Sequence, residues 1–203
     1  MRIIAGRLRG RDLGGVPEGV RPTTDRVRES LFSVLGPAIG QRVLDLCAGT
    51  GALGLEAYSR GAEEVVWVER SRGVARALRE RLARLGLEDE PGLRLLVADA
   101  GVAIRRLAGA GAPFDLVFYD PPYAAEDRVE TLRALFASGL VAASGTVVVE
   151  GARRHPLPAV AGARVVDERR YGDTVLCWLA PVDRHTGTAG ASRDERDSPD
   201  EPR

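Results

Sequence analysis

The chain has 203 residues, 44% of them apolar and 29% charged, which is enough for one well-cored domain and short for two. No stretch reaches the 18 or so apolar residues of a membrane helix, and arginines occupy Met1 to Arg11 where a secretion signal needs its apolar core, so a cytoplasmic protein is expected. The formal net charge is zero, and Cys47, Cys177, His155 and His185 have no metal-ligand spacing, so no metal is expected.

The charge is unevenly distributed. Residues 1–28 carry arginines at 2, 7, 9, 11, 21, 26 and 28 against only Asp12, Glu18 and Asp25, and every basic residue of the chain is arginine. Residues 1–23 are therefore read as a basic arm suited to phosphate, which the arginine fork binds bidentately. A helix is expected over Thr24 to Leu35, with Val27, Leu31 and Val34 on one face, a threonine cap and Gly36-Pro37 as its stop. Short β-rich runs then alternate with helical patterns. Strands are expected at Arg42–Leu46, Glu64–Glu69, Leu93–Ala98, Phe114–Tyr119 and Gly145–Glu150, with helices at Ala52–Ser59, Ser71–Leu85, Ala100–Leu107 and Arg128–Ala137. This alternation predicts an α/β fold with a mostly parallel sheet covered on both faces. Ala163–Tyr171 and Val175–Leu179, joined by Gly172-Asp173, read as an antiparallel hairpin that completes seven strands. From His185 onward three arginines face five acids with almost no large apolar residue, so residues 182–203 are expected to be a disordered acidic tail. Residues 24–181 are left as the domain. A monomer is expected.

Chemistry concentrates where strands end. Asp45-Leu46-Cys47-Ala48-Gly49-Thr50-Gly51 follows the first strand and opens a helix, and Gly49 to Gly54 fits G-x-G-x-x-G with Glu69 ending the next strand. A nicotinamide or flavin enzyme is one reading of that pattern. Asp45 argues against it, because a carboxylate at the loop's mouth repels a pyrophosphate and suits the ammonium and sulfonium of S-adenosylmethionine. Glu69 can accept from ribose hydroxyls and Asp99, ending the third strand, from an adenine amine. Each acid taken singly is as well explained as a helix cap or turn residue.

Asp120-Pro121-Pro122-Tyr123 ends the fourth strand. Proline keeps Asp120 extended, two consecutive prolines remove backbone donors, and the loop is left presenting oxygen acceptors to an NH2 group. Tyr123 adds a face on which a flat base can stack. Cys47 in the loop and Cys177 in a strand read as small core residues rather than as nucleophiles.

With these segments the chain resembles the class I S-adenosylmethionine-dependent methyltransferases and, more narrowly, the bacterial small-subunit ribosomal RNA guanine-N2 methyltransferase D family. The narrower resemblance rests on Arg2-Ile3-Ile4-Ala5-Gly6 with Arg9-Gly10-Arg11, and on Arg21-Pro22-Thr23-Thr24-Asp25-Arg26-Val27-Arg28-Glu29. It implies a Rossmann-like class I fold and methylation of N2 of a guanine in 16S ribosomal RNA, free or in an assembling 30S particle. It also implies a donor site of Asp45, Cys47, Ala48, Gly49, Thr50, Gly51, Glu69, Arg70, Asp99 and Ala100. The reacting amine would meet Asp120, Pro121, Pro122 and Tyr123, and RNA would meet Arg2, Arg7, Arg9, Arg11, Arg21, Thr23, Thr24 and Arg28. Adenine-N6 DNA methylation, glutamine-N5 protein methylation and a non-catalytic RNA-binding assembly factor remain rival readings.

Overall fold

The computed structural model describes residues 1–20, 23–121 and 127–182. Helix α1 (Asp25–Leu35) starts at Thr24, whose hydroxyl accepts from Val27 N, and stops at Gly36 with φ 73°. There follow β1 (Arg42–Leu46), α2 (Ala52–Ser59), β2 (Glu64–Glu69), α3 (Arg72–Arg84), β3 (Leu93–Val97), α4 (Ala100–Leu107), β4 (Phe114–Tyr119), α5 (Arg128–Ala137), β5 (Val141–Ala152), β6 (Ala163–Tyr171) and β7 (Thr174–Pro181).

The seven strands form one sheet in the order β3-β2-β1-β4-β5-β7-β6. Pairings from β3 to β5 are parallel; β7 runs antiparallel to both β5 and β6. This is the Rossmann-like class I methyltransferase architecture, and the C-terminal hairpin folds back so that its second strand, not its first, lies against β5. Alternation along each strand splits the core in two. Val43, Val65, Trp67, Leu116, Phe118 and Val148 pack on the α1–α3 side, and Leu44, Val66, Val117, Tyr119 and Val149 on the α4–α5 side.

Strand β5 is longer than the Gly145–Glu150 run expected from its valines. The Ala-Ala-Ser-Gly stretch has little β propensity of its own, but Val141 pairs with Phe114 of β4 across a register shift, and Ala152 pairs with Thr174 of β7. Residues on both sides thus supply the ladder.

The basic arm is part of this core. A hairpin is closed by Ile3 N to Arg11 O at 3.1 Å, Gly10 N to Ile3 O at 2.9 Å and Leu13 N to Met1 O at 2.8 Å. Ile3 and Leu13 are buried, which contributes about 1.5–3 kcal/mol for each. The hairpin sits on α2 through a fully buried carboxylate. Glu56 accepts from Ile4 N at 2.8 Å and Ala5 N at 3.0 Å while also receiving Arg60 Nε at 2.8 Å. Gly6, at φ 82°, lies so near α2 that a Cβ there would be 1.9 Å from the Ser59 carbonyl oxygen. Residues 182–203 were expected to be a disordered acidic tail; all but Val182 lie outside the described residues. No helix among the described residues is long and apolar enough to cross a membrane.

Glu56→Ala removes the acceptor for two backbone N–H groups and leaves cationic neighbours without their counter-charge. It should destabilise the protein by about 3–5 kcal/mol, read as a drop in the urea unfolding midpoint. A change below about 1 kcal/mol would show that the hairpin is held by its apolar contacts alone.

Candidate functional site

In an open, mostly parallel sheet the strand order reverses at one place, and ligands bind beyond the carboxyl ends there. Here the reversal lies between β1 and β4. A cavity of about 810 Å³ opens at that point, a volume in the range of small-molecule sites.

The loop after β1 shapes its floor. Cys47 is, among the described residues, the one non-glycine at positive φ (61°), and Gly49 and Gly51 follow at 53° and 72°. This run of left-handed backbone folds the chain back on itself, closing Gly51 N onto Ala48 O at 2.7 Å, and turns it into α2. Gly54 is required for a different reason: a Cβ on it would lie 2.3 Å from Trp67 Nε1, so α2 could not approach β2.

Two carboxylates take up the donors of this loop. Asp45, 2% exposed, accepts from Gly54 N at 2.9 Å in the first turn of α2. Glu69 accepts from Gly49 N at 3.0 Å and from Ser71 N at 2.8 Å. A dinucleotide fold keeps such N–H groups for its pyrophosphate. Here two of them, Gly49 N and Gly54 N, are held by the protein's own acids. Burial pushes the Asp45 carboxyl up to about 8, against the Gly54 hydrogen bond that lowers it, and the nearby Glu69 charge adds to the rise.

The register explains why these acids converge. Asp45 pairs with Trp67 on β2 and with Phe118 on β4, and Phe118 pairs with Val148 on β5. Two residues further along, Glu69, Asp120 and Glu150 fall on the same face as those partners. Asp99 caps α4, its Oδ1 accepting from Gly101 N at 2.9 Å. Asp120 and Pro121 close the cavity beside Tyr119; Pro122 and Tyr123 lie outside the described residues.

Of the donor-site residues expected from sequence, Asp45, Cys47, Ala48, Gly49, Thr50, Glu69, Arg70, Asp99 and Ala100 line the cavity. Gly51 does not. It is buried behind the loop, with its carbonyl receiving Trp67 Nε1 at 3.2 Å and a Cβ position 2.4 Å from Leu78. The Cys47 thiol is pushed up to about 12, first by burial and then by Asp120, Glu69 and Asp45, so it stays protonated and poorly nucleophilic.

The residues expected to meet RNA separate into groups. Arg2, Arg9 and Arg11 are exposed on the hairpin. Arg7 is exposed too and stacks on the Tyr58 ring, 3.7 Å from its centroid. Thr23 lines the cavity, whereas the Thr24 side chain is the α1 cap. Arg28 needs correction. It is fully buried, donating from Nη2 to Arg2 O and to Asp25 Oδ1, both at 2.7 Å, so its charge ties α1 to the hairpin instead of facing a phosphate. Arg21 lies outside the described residues.

Sequence reasoning missed Glu18, Gly19, Val20, Asp127, Thr131 and Glu150, all of which line the cavity. Glu150 carried a readable signal, since it is one more acid closing a β-rich run. The others carried none: residues 18–20 reach the site because the chain leaving the hairpin crosses its rim. Arg81, buried on α3, anchors that crossing by donating to Leu13 O, to Gly15 O at 2.7 Å and to Thr50 O of the cofactor loop.

Residues 1–180 match the model of the family described as Conserved hypothetical protein 95. "Ribosomal RNA small subunit methyltransferase D" of Escherichia coli strain K12 is 41% identical over 163 residues, 79% of each chain. "Putative rRNA methyltransferase YlbH" of Bacillus subtilis is 35% identical over 177 residues, 86% of this chain and 95% of the relative. Among solved structures, "Putative methyltransferase yhhF from Escherichia coli" superposes with a TM-score of 0.76 at 38% identity, covering 89% of this chain and 97% of that one.

The raised Asp45 pKa works against folding. Below pH ~4 the carboxyl is protonated in both states. Between there and about 8 only the unfolded chain ionises, so stability falls as pH rises and the loss is complete above the folded value. Asp45→Asn keeps the acceptor for Gly54 N and removes the titration. Relative to wild type it should gain stability between pH 5 and 8, with a slope of up to about 1.4 kcal/mol per unit in urea melts. Parallel pH profiles would show that Asp45 ionises normally in the folded protein.

Proposed function

The chain belongs to the ribosomal RNA small subunit methyltransferase D family, and on that premise we propose that it transfers a methyl group from S-adenosylmethionine to N2 of a guanine in 16S ribosomal RNA. The observation that carries this reading is the cavity at the β1/β4 reversal, lined by the acids at the strand ends, two of which hold Gly49 N and Gly54 N. Such a site fits a ligand with an ammonium, a sulfonium and a ribose and no phosphate.

When bound, S-adenosylmethionine supplies a methyl group activated by a positively charged sulfur. Asp45 would hold its cationic end, Glu69 its ribose hydroxyls and Asp99, beyond the end of β3, its adenine amine. The amino nitrogen of guanine is a poor nucleophile because its lone pair is delocalised into the ring. Asp120 and the Pro121 carbonyl accept its hydrogens, favour the pyramidal form and hold the lone pair toward the cavity. The proton left on the methylated nitrogen goes to Asp120 or to water. Aromatic side chains such as that of Tyr123 suit the stacking of an extruded base. No covalent enzyme intermediate is needed, which agrees with the suppressed thiol of Cys47.

Arg2, Arg7, Arg9 and Arg11 lie on the exposed side of the hairpin, where they can neutralise phosphates as the RNA leads its guanine past Thr23 into the cavity. The shape of the RNA or of an assembling 30S particle supplies part of the selectivity.

Labelled methyl transfer tested on 16S RNA, 30S particles, duplex DNA and protein decides between this reading and its rivals; incorporation into DNA or protein alone would overturn it. Asp120→Ala should lower transfer by at least about a hundredfold while donor affinity stays within a few-fold. Retained turnover would remove Asp120 from the mechanism. Because burial pushes the Asp45 carboxyl up to about 8, donor binding at pH 7 should release a proton. Calorimetry in buffers of different ionisation enthalpy reads this directly, and heats independent of buffer would show that Asp45 does not face the cation.

A further inference from the structure

Asp120 and the proline loop can recognise an amine, but an amine is common to guanine and adenine. The difference lies beside it. On guanine the ring nitrogen next to the amine carries a hydrogen and donates; on adenine the corresponding nitrogen accepts. A site for guanine therefore needs a second acceptor next to Asp120.

Strand β5 provides one. Tyr119 pairs with Val149 in parallel register at the end of β4, so Asp120 and Glu150 follow side by side where the two strands, about 4.8 Å apart across the sheet, reach the cavity. Phe118 and Val148, two residues earlier on the two strands, both pack on the α1–α3 side, which places Asp120 and Glu150 on that same face. Glu150 is 8% exposed and lines the cavity with Asp120 and Pro121. Its orientation is set from outside the sheet: Thr23 Oγ1 donates to Glu150 Oε2 at 3.0 Å. A carboxylate has about four acceptor positions, so this bond fixes the group without exhausting it.

We propose that Glu150 is the specificity-determining acceptor for the ring N1–H of the target guanine, held in place by Thr23, while Asp120 takes the adjacent amine. The inference rests on the guanine-N2 reading of the site. Two neighbouring carboxylates match the contiguous donors of guanine's edge, whereas adenine would set its N1 lone pair against Glu150, an acceptor facing an acceptor. The same arrangement gives Thr23 a role beyond lining the cavity: it links the segment that follows the arginine-rich hairpin to the base-reading strand end.

The test compares two RNAs that differ only at the target, one with guanine and one with 2-aminopurine, which keeps the C2 amine but has an N1 acceptor. The readout is the ratio of kcat/KM for the two, which does not depend on the fraction of enzyme that is folded. Wild type should favour guanine. Glu150→Gln, whose amide can donate to N1, should narrow that ratio at least about tenfold, and Thr23→Val should narrow it in the same direction by less. An equal loss on both bases, up to complete inactivity, would assign Glu150 a structural role and overturn the proposal. Wild-type enzyme that methylates no guanine in either 16S RNA or 30S particles would overturn the guanine reading and this inference with it.

Discussion

The architecture of the site depends on two carboxylates holding down one glycine loop. Asp45 receives Gly54 N and Glu69 receives Gly49 N, so the turn from β1 into α2 is fixed by side chains that come from the sheet itself. This has a chemical consequence as well as a structural one. A helix N-terminus normally offers its N–H groups to an anion; here one of them, Gly54 N, is taken by the protein's own Asp45. The loop keeps the glycine spacing of a nucleotide fold and sets acids beside it. The cost is a buried carboxyl whose pKa is raised to about 8, which a cationic ligand can offset.

The N-terminal hairpin shows how arginines close together in sequence divide between solvent and core. Arg2, Arg9 and Arg11 remain exposed, yet Arg28, only a helix turn beyond Thr24, is fully buried and holds the Arg2 carbonyl. Glu56 gathers the hairpin's backbone from below, and Arg81 gathers its outgoing chain from the side while also holding Thr50 of the cofactor loop. The arm, the rim of the cavity and the loop on its floor are thereby parts of one hydrogen-bonded frame. A basic segment that looked like an appendage from its charge is a wall of the domain.

Much of this could be read directly from the order of residues. Strands β1, β2 and β4 and helices α2, α4 and α5 lie where the apolar periodicity puts them, because their burial pattern is a local property of spacing. The acids at the ends of β1 to β4 were legible for the same reason, since a strand end followed by a turn is a local event. Glu150 closes the expected fifth run in the same way and was open to the same reading, although β5 itself continues to Ala152 against β7. Residues 18–20 were invisible in principle: nothing in Glu-Gly-Val marks a chain that crosses a cleft.

By itself, then, the sequence determined the alternation of elements and the acids that close the strands, both of which depend on residues a few positions apart. Only the tertiary structure decided that β7 rather than β6 lies beside β5, that Arg28 faces inward and that Asp120 has Glu150 as its neighbour. Those outcomes depend on contacts between segments distant in sequence, such as β5 with β7 and Arg28 with Arg2. Register and burial are set when distant surfaces meet, and no local pattern of residue types encodes that meeting.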